Sequence, residues 1–85
     1  MAIEVYTKDD CSYCMMAKTT LAKHMMQFNE YKLHHDFTRA QVLEKFPEAK
    51  TFPIIVVDGF YIGGYNQLSS YLEEQARSAK TLLNE

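Results

Sequence analysis

Residues 2–14 read Ala2-Ile3-Glu4-Val5-Tyr6-Thr7-Lys8-Asp9-Asp10-Cys11-Ser12-Tyr13-Cys14, a strand pattern that runs into a helix pattern across a cysteine pair. Ile3 and Val5 alternate with polar neighbours, which predicts a strand from Ala2 to Thr7. Lys8-Asp9-Asp10 is a polar break. From Cys11 to about Phe28 there is no Gly or Pro, and Cys14, Ala17, Leu21, Met25 and Phe28 recur at helical spacing. Asp10 is the expected cap of that helix. A Cys-x-x-Cys pair therefore sits where a strand turns into a helix.

Working outward, Asn29 to Asp36 reads as a second strand with Tyr31, Leu33 and His35 on one face. Thr38 opens a short helix through about Phe46, its apolar face made by Val42, Leu43 and Phe46. Lys50-Thr51-Phe52-Pro53 is extended, because a residue before Pro is pushed out of the helical region. Ile54 to Val57 is a continuous apolar run, the pattern of a strand buried on both faces. Asp58-Gly59 signals a hairpin that returns as Phe60-Tyr61-Ile62. Gly63-Gly64 ends that strand. A last helix runs from Asn66 or Gln67 to beyond Arg77, with Leu68, Tyr71, Leu72 and Ala76 inward and Ser78 to Glu85 as extension or fray. The order is β-α-β-α-β-β-α. The first βαβ unit implies parallel strands with a right-handed crossover, and the hairpin completes a four-stranded mixed sheet with three helices on its faces.

Length and composition limit the alternatives. Eighty-five residues make one small domain, spanning residues 1–85, with one modest core. Apolar residues are 47% and charged residues 24% of the chain, which suits a globular protein and argues against disorder. The apolar run Ile54 to Val57 is too short for a membrane span. No basic segment precedes a long apolar stretch at the N-terminus, so no signal peptide is expected and the setting is cytoplasmic. With 9 basic and 11 acidic residues and a net charge of −2, no basic stripe exists for nucleic acid. A monomer is expected.

The two cysteines carry the chemistry. A secreted disulfide scaffold usually has more. Free N–H groups at a helix start stabilise a thiolate, and cysteines so placed have pKa values of about 3.5–7.5. The spacing puts Cys11 at that end, beside Lys8, with Cys14 one turn further in. That arrangement provides a nucleophile and a resolving thiol. Lys18 is a second cation that could reach back, although such side chains usually sit in solvent. His24, His34 and His35 fit no usual zinc spacing, and no second cysteine pair exists. His34 and His35 fall on opposite faces of the expected strand.

Tyr6-Thr7-Lys8, Cys11-Ser12-Tyr13-Cys14, Thr51-Phe52-Pro53 and Ile62-Gly63-Gly64-Tyr65-Asn66-Gln67-Leu68 together resemble a glutaredoxin of the short dithiol type found in bacteria and their phages. The resemblance covers nearly the whole chain. It implies the thioredoxin fold and glutathione-dependent reduction of protein disulfides and glutathione mixed disulfides, with Cys11 as nucleophile and Cys14 as resolving thiol. Implied partners are glutathione and disulfide-containing or glutathionylated proteins, with ribonucleotide reductase as a family precedent.

By the same resemblance Pro53 is cis, and the Phe52 backbone pairs with an extended peptide-like ligand, glutathione, much as an added strand would. Thr51, Phe52, Pro53, Gly64, Tyr65, Asn66 and Gln67 would hold one end of glutathione, the helix start taking its γ-glutamyl carboxylate. Lys8, Tyr13 and either Arg39 or Gln41 would hold the glycyl carboxylate. Trp and Gly-Pro, typical of thioredoxins at Asp10 and Ser12-Tyr13, are missing.

Some positions depart from the family pattern. Ser12 stands where Pro is usual. Some glutaredoxins with Ser there bind a 2Fe-2S cluster between two subunits through the first cysteine, here Cys11, and glutathione; apart from that no metal is expected. Asn66 and Gln67 replace an acidic pair partner for the γ-glutamyl ammonium, with a loss of charge assistance. Ile54 replaces Gln. Met15 and Met16 stand where basic or polar residues are common; either they form an adaptable rim for a partner surface, or one packs inward and the other is incidentally exposed.

Overall fold

The computed structural model describes residues 2–84, with side chains through residue 75. Its elements are β1 (Ile3–Thr7), α1 (Ser12–Lys23), β2 (Asn29–Lys32), α2 (Arg39–Lys45), β3 (Ile54–Val57), β4 (Phe60–Gly63) and α3 (Tyr65–Asn84). The strand order is β2-β1-β3-β4. β1 runs parallel to β2 and antiparallel to β3, and β4 returns antiparallel to β3. This is the expected mixed sheet with three helices.

The inner strands divide the core into two layers. Ile3, Val5, Ile55 and Val57 pack with Ala17 and Leu21 of α1 and Leu68 and Leu72 of α3. Tyr6, Ile54 and Val56 face the other way, onto Leu33, Phe37, Val42, Phe46 and Ala49. Period-2 alternation within Ile54–Val57 thus feeds both layers, which is why the run has no polar member. Each fully buried Leu contributes about 1.5–3 kcal/mol. Tyr71 packs against the first layer, as expected; the inward placement of Ala76 lies outside the described side chains.

The hairpin turn has φ 51° at Asp58 and 86° at Gly59, the two positive values of a type I′ turn. Asp58 also ties the N-terminus, accepting from the Ala2 N–H at 2.7 Å. Among the described residues no helix is long and apolar enough to cross a membrane.

Several expected boundaries and faces move. α1 stops at Lys23 rather than near Phe28. Met25 takes φ 57°, its N–H donates to the Ala22 carbonyl and the Met26 N–H to the Leu21 carbonyl, both at 3.0 Å. This pair of bonds is a Schellman closure. Met25 consequently points out, 91% exposed, while Phe28 still reaches the core from the following segment. β2 ends at Lys32 rather than Asp36. The Asp36 carboxylate accepts from the Lys32 N–H at 2.8 Å and closes a turn, so His35 is exposed instead of sharing a face with buried Leu33. Leu43 is exposed rather than part of the α2 face. α3 begins at Tyr65, ahead of Asn66.

Candidate active site

Cys11 is the N-cap of α1, with extended backbone at φ −125°. The Cys14 N–H donates to the Cys11 sulfur at 3.2 Å. Asp10, the residue expected to cap, instead takes φ 52°, outside the extended geometry a capping residue uses, and lies beside Cys11 in a groove. The two sulfurs are joined as a disulfide. Cys11 is half-buried and Cys14 is 2% exposed. The Cys11 sulfur also lies 3.9 Å from the Phe52 carbonyl oxygen, and the Phe52–Pro53 peptide is cis.

Two grooves meet at this point. One, of about 430 Å³, is lined by Lys8, Asp10, Cys11, Ser12, Tyr13, Arg39, Lys50, Thr51 and Phe52. The second, of about 540 Å³, is lined by Tyr13, Glu48, Lys50, Thr51, Phe52, Pro53, Tyr61, Ile62, Gly63, Gly64, Tyr65, Asn66 and Gln67. Tyr13, Lys50, Thr51 and Phe52 belong to both. The Tyr13 ring leans on that of Tyr65, centroids 5.9 Å apart, so α1 and α3 starts are bridged beside the cysteines.

Three cations, Lys8, Arg39 and Lys50, share the first groove with one carboxylate, Asp10. The excess of cations suits an anionic ligand there. Asp9 is drawn away: it pairs with Lys32 at 2.7 Å, and that hydrogen bond and charge hold its carboxyl below the usual carboxylate range. Lys18 does not reach the cysteines. It pairs with Glu30 at 3.1 Å.

At the α3 start, the Gln67 side-chain oxygen accepts from the Gly64 N–H at 2.9 Å. Gly63 has φ 129°, and a Cβ there would sit 2.6 Å from the Gln67 Cγ. Glycine is therefore required at 63 for both backbone and space, and Gln67 doubles as a helix cap.

All but one of the expected glutathione-site positions line these grooves. The exception is Gln41. Its side chain accepts from the Thr38 N–H at 2.8 Å while the Gln41 N–H donates to the Thr38 hydroxyl at 3.2 Å, a capping box. Gln41 faces a separate cavity of about 710 Å³ with Tyr6, Tyr31 and Phe37. There Tyr6 is pushed up to about 12, by burial first and by its hydrogen bond to Glu4 second. Between the two α2 candidates, the one in the cysteine groove is Arg39. Lys50 and Glu48 line the grooves as well, and in the sequence only the adjacency of Lys50 to Thr51 points to either. Met15 and Met16 are both exposed.

Among the described residues no three or more His, Cys, Asp or Glu side chains are grouped to hold a metal ion. A cluster on Cys11 would need its other ligands from outside the chain.

The glutaredoxin family model matches residues 3–62. Glutaredoxin 1 of Rickettsia bellii is 35% identical, over 95% of this chain and 86% of that protein. The chain belongs to the glutaredoxin family.

Glutaredoxins are thiol oxidoreductases that use glutathione as reductant, and the Cys11–Cys14 pair is of their redox type. The fold agrees with solved glutaredoxins. Glutaredoxin 1 of Francisella tularensis, solved with cacodylate, superposes with a TM-score of 0.71 at 23% identity, covering 99% of this chain and 98% of that one. The buckwheat glutaredoxin–glutathione complex gives 0.68 at 21%, covering 94% and 72%. The architecture is the thioredoxin fold.

Proposed function

We propose that this chain acts as a single-domain, glutathione-dependent thiol–disulfide oxidoreductase of protein disulfides and glutathione mixed disulfides. The observation that carries the reading is the asymmetry of the pair. The half-buried Cys11 sulfur opens onto a cationic groove and accepts an N–H at 3.2 Å, whereas Cys14 is buried.

Reduction starts from the thiolate of Cys11. It attacks a substrate disulfide, forming one S–S bond and releasing one substrate thiol. Cys14 then loses its proton and attacks Cys11, freeing the second substrate thiol and leaving the Cys11–Cys14 disulfide. Glutathione thiolate attacks Cys11 and Cys14 leaves as thiol. A second glutathione attacks the glutathione sulfur of the mixed disulfide, releasing oxidised glutathione and restoring Cys11. Two electrons pass from two glutathiones to one disulfide. Hydrogen bonding to the cap position and the cations Lys8, Arg39 and Lys50 favour Cys11 as the leaving and attacking sulfur.

Glutathione would lie across both grooves, its backbone beside Phe52, one carboxylate near Lys8, Arg39 and Tyr13, the other at the α3 start among Gly64, Tyr65, Asn66 and Gln67. A relative solved with glutathione supports this ligand. A cytoplasmic setting, where glutathione keeps thiols reduced, suits a chain with one redox pair. The test is turnover of a cysteine–glutathione mixed disulfide with glutathione and its reductase. Robust turnover is expected; its absence in the reduced, folded protein would overturn the reading.

A further inference from the structure

The side chain of Phe52 has neighbours that its place beside Pro53 does not explain. Its ring is half-buried and lines both grooves. The Lys8 ammonium lies 5.9 Å from the ring centroid. The Phe37 ring stacks with it at 6.2 Å and 23°. Phe37 is itself buried and packs edge-on against Tyr6 at 5.3 Å. The Phe52 ring is thus seated on the core through one contact and turned to a cation through another.

Among the described residues Lys8 is in no ion pair, although the Asp10 carboxylate lines the same groove. Among the described residues the ion pairs are Lys18–Glu30 and Lys32–Asp9, so the neighbouring carboxylate Asp9 is engaged by Lys32. A flexible, exposed ammonium with no carboxylate partner would ordinarily spread over many rotamers in solvent. An aromatic face attracts it through the ring quadrupole. Here that face borders the cysteine groove.

We propose that Phe52 is a positioning residue: through its ring it holds the Lys8 ammonium at the mouth of the Cys11 groove, so that the cation acts on anionic reagents approaching the sulfur. The effect of Lys8 on Cys11 depends on the ring at position 52 and not merely on an apolar side chain there. This deepens the proposed function by giving the side chain of Phe52 a role in selecting anionic thiol ligands, and its test is independent of glutathione turnover.

The test compares alkylation of Cys11 in the reduced protein by iodoacetate, which is anionic, and by iodoacetamide, which is neutral, across pH. Their rate ratio reads the local field and cancels most effects on thiol exposure. Phe52→Leu should lower the iodoacetate-to-iodoacetamide ratio by about two- to five-fold, the range for an exposed cation–π contact. Lys8→Gln should lower it by the same factor, and Phe52→Leu in the Lys8→Gln background should add nothing. Phe52→Tyr, which keeps a ring face, should retain the wild-type ratio. Thermal melts confirm that each variant is folded. Lys8→Gln requires no change in the core, so it remains informative if Phe52→Leu is poorly folded. A Phe52→Leu ratio equal to wild type, or equal losses on Phe52→Leu with and without Lys8, would overturn the proposal. A failure of glutathione turnover with the alkylation pattern intact would instead remove the glutathione reading alone.

Discussion

The Cys14 N–H donates to the Cys11 sulfur at 3.2 Å, so the sulfur that opens onto the groove is also the acceptor that starts α1. Under the proposed function the same N–H, which would otherwise be unpaired, would stabilise the Cys11 thiolate once the disulfide is reduced. Because the bond comes from Cys14 itself, the two cysteines are placed by the helix turn that separates them.

From this asymmetry the two half-reactions should separate. Cys14→Ser should retain turnover of glutathione mixed disulfides and lose reduction of intramolecular protein disulfides. Cys11→Ser should lose both. With limiting iodoacetamide at pH 6, peptide mapping should find label on Cys11, and equal label on Cys14 would contradict the assignment.

Arg39 and Gln41 should divide binding from stability. Arg39→Ala removes a groove cation and should raise the KM for glutathione by about two- to five-fold, the range for an exposed charge contact. Gln41→Ala breaks the capping box with Thr38. It should cost about 1 kcal/mol in denaturant unfolding and leave that KM unchanged. The reverse pattern would place Gln41 at the ligand.

Met25 offers a stabilising change. It is a non-glycine residue at φ 57° with its side chain 91% exposed. Met25→Gly loses no packing and relieves the left-handed strain, so it should stabilise the protein by about 1 kcal/mol. Chemical denaturation midpoints would register it, and a lower midpoint would refute the closure assigned to this position.

Acid stability should depend on Glu30. Burial alone raises its carboxyl, but hydrogen bonds from Thr7 and Lys18 and the charge of Lys18 outweigh that and leave it below its ordinary value of 4.5. A lowered folded pKa means the unfolded chain binds more protons as acid is added. The stabilisation is therefore complete above about 4.5 and is lost as pH falls through the depressed value. Glu30→Gln should flatten the acid limb of the stability curve below pH 5 while leaving its alkaline side unchanged, measured by urea unfolding at a series of pH values.

The order of the elements, the buried run Ile54–Val57, the Asp58-Gly59 turn and the cysteine pair at a strand-to-helix junction are all legible along the chain. These are local: alternation, helical spacing and turn chemistry act between neighbours in the chain. Where α1 stops is visible only in the folded chain, because Met25 adopts a left-handed conformation that glycine would have announced and methionine does not. Folding likewise makes Cys11 and not Asp10 the cap of the helix, brings Arg39 rather than Gln41 into the cysteine groove, and adds Lys50 to it. Lys8, Arg39 and Phe52 lie far apart in the chain, and only the packing of β1, α2 and the Pro53 segment brings them together. Their contacts depend on side-chain direction after that packing, which spacing along one segment does not encode.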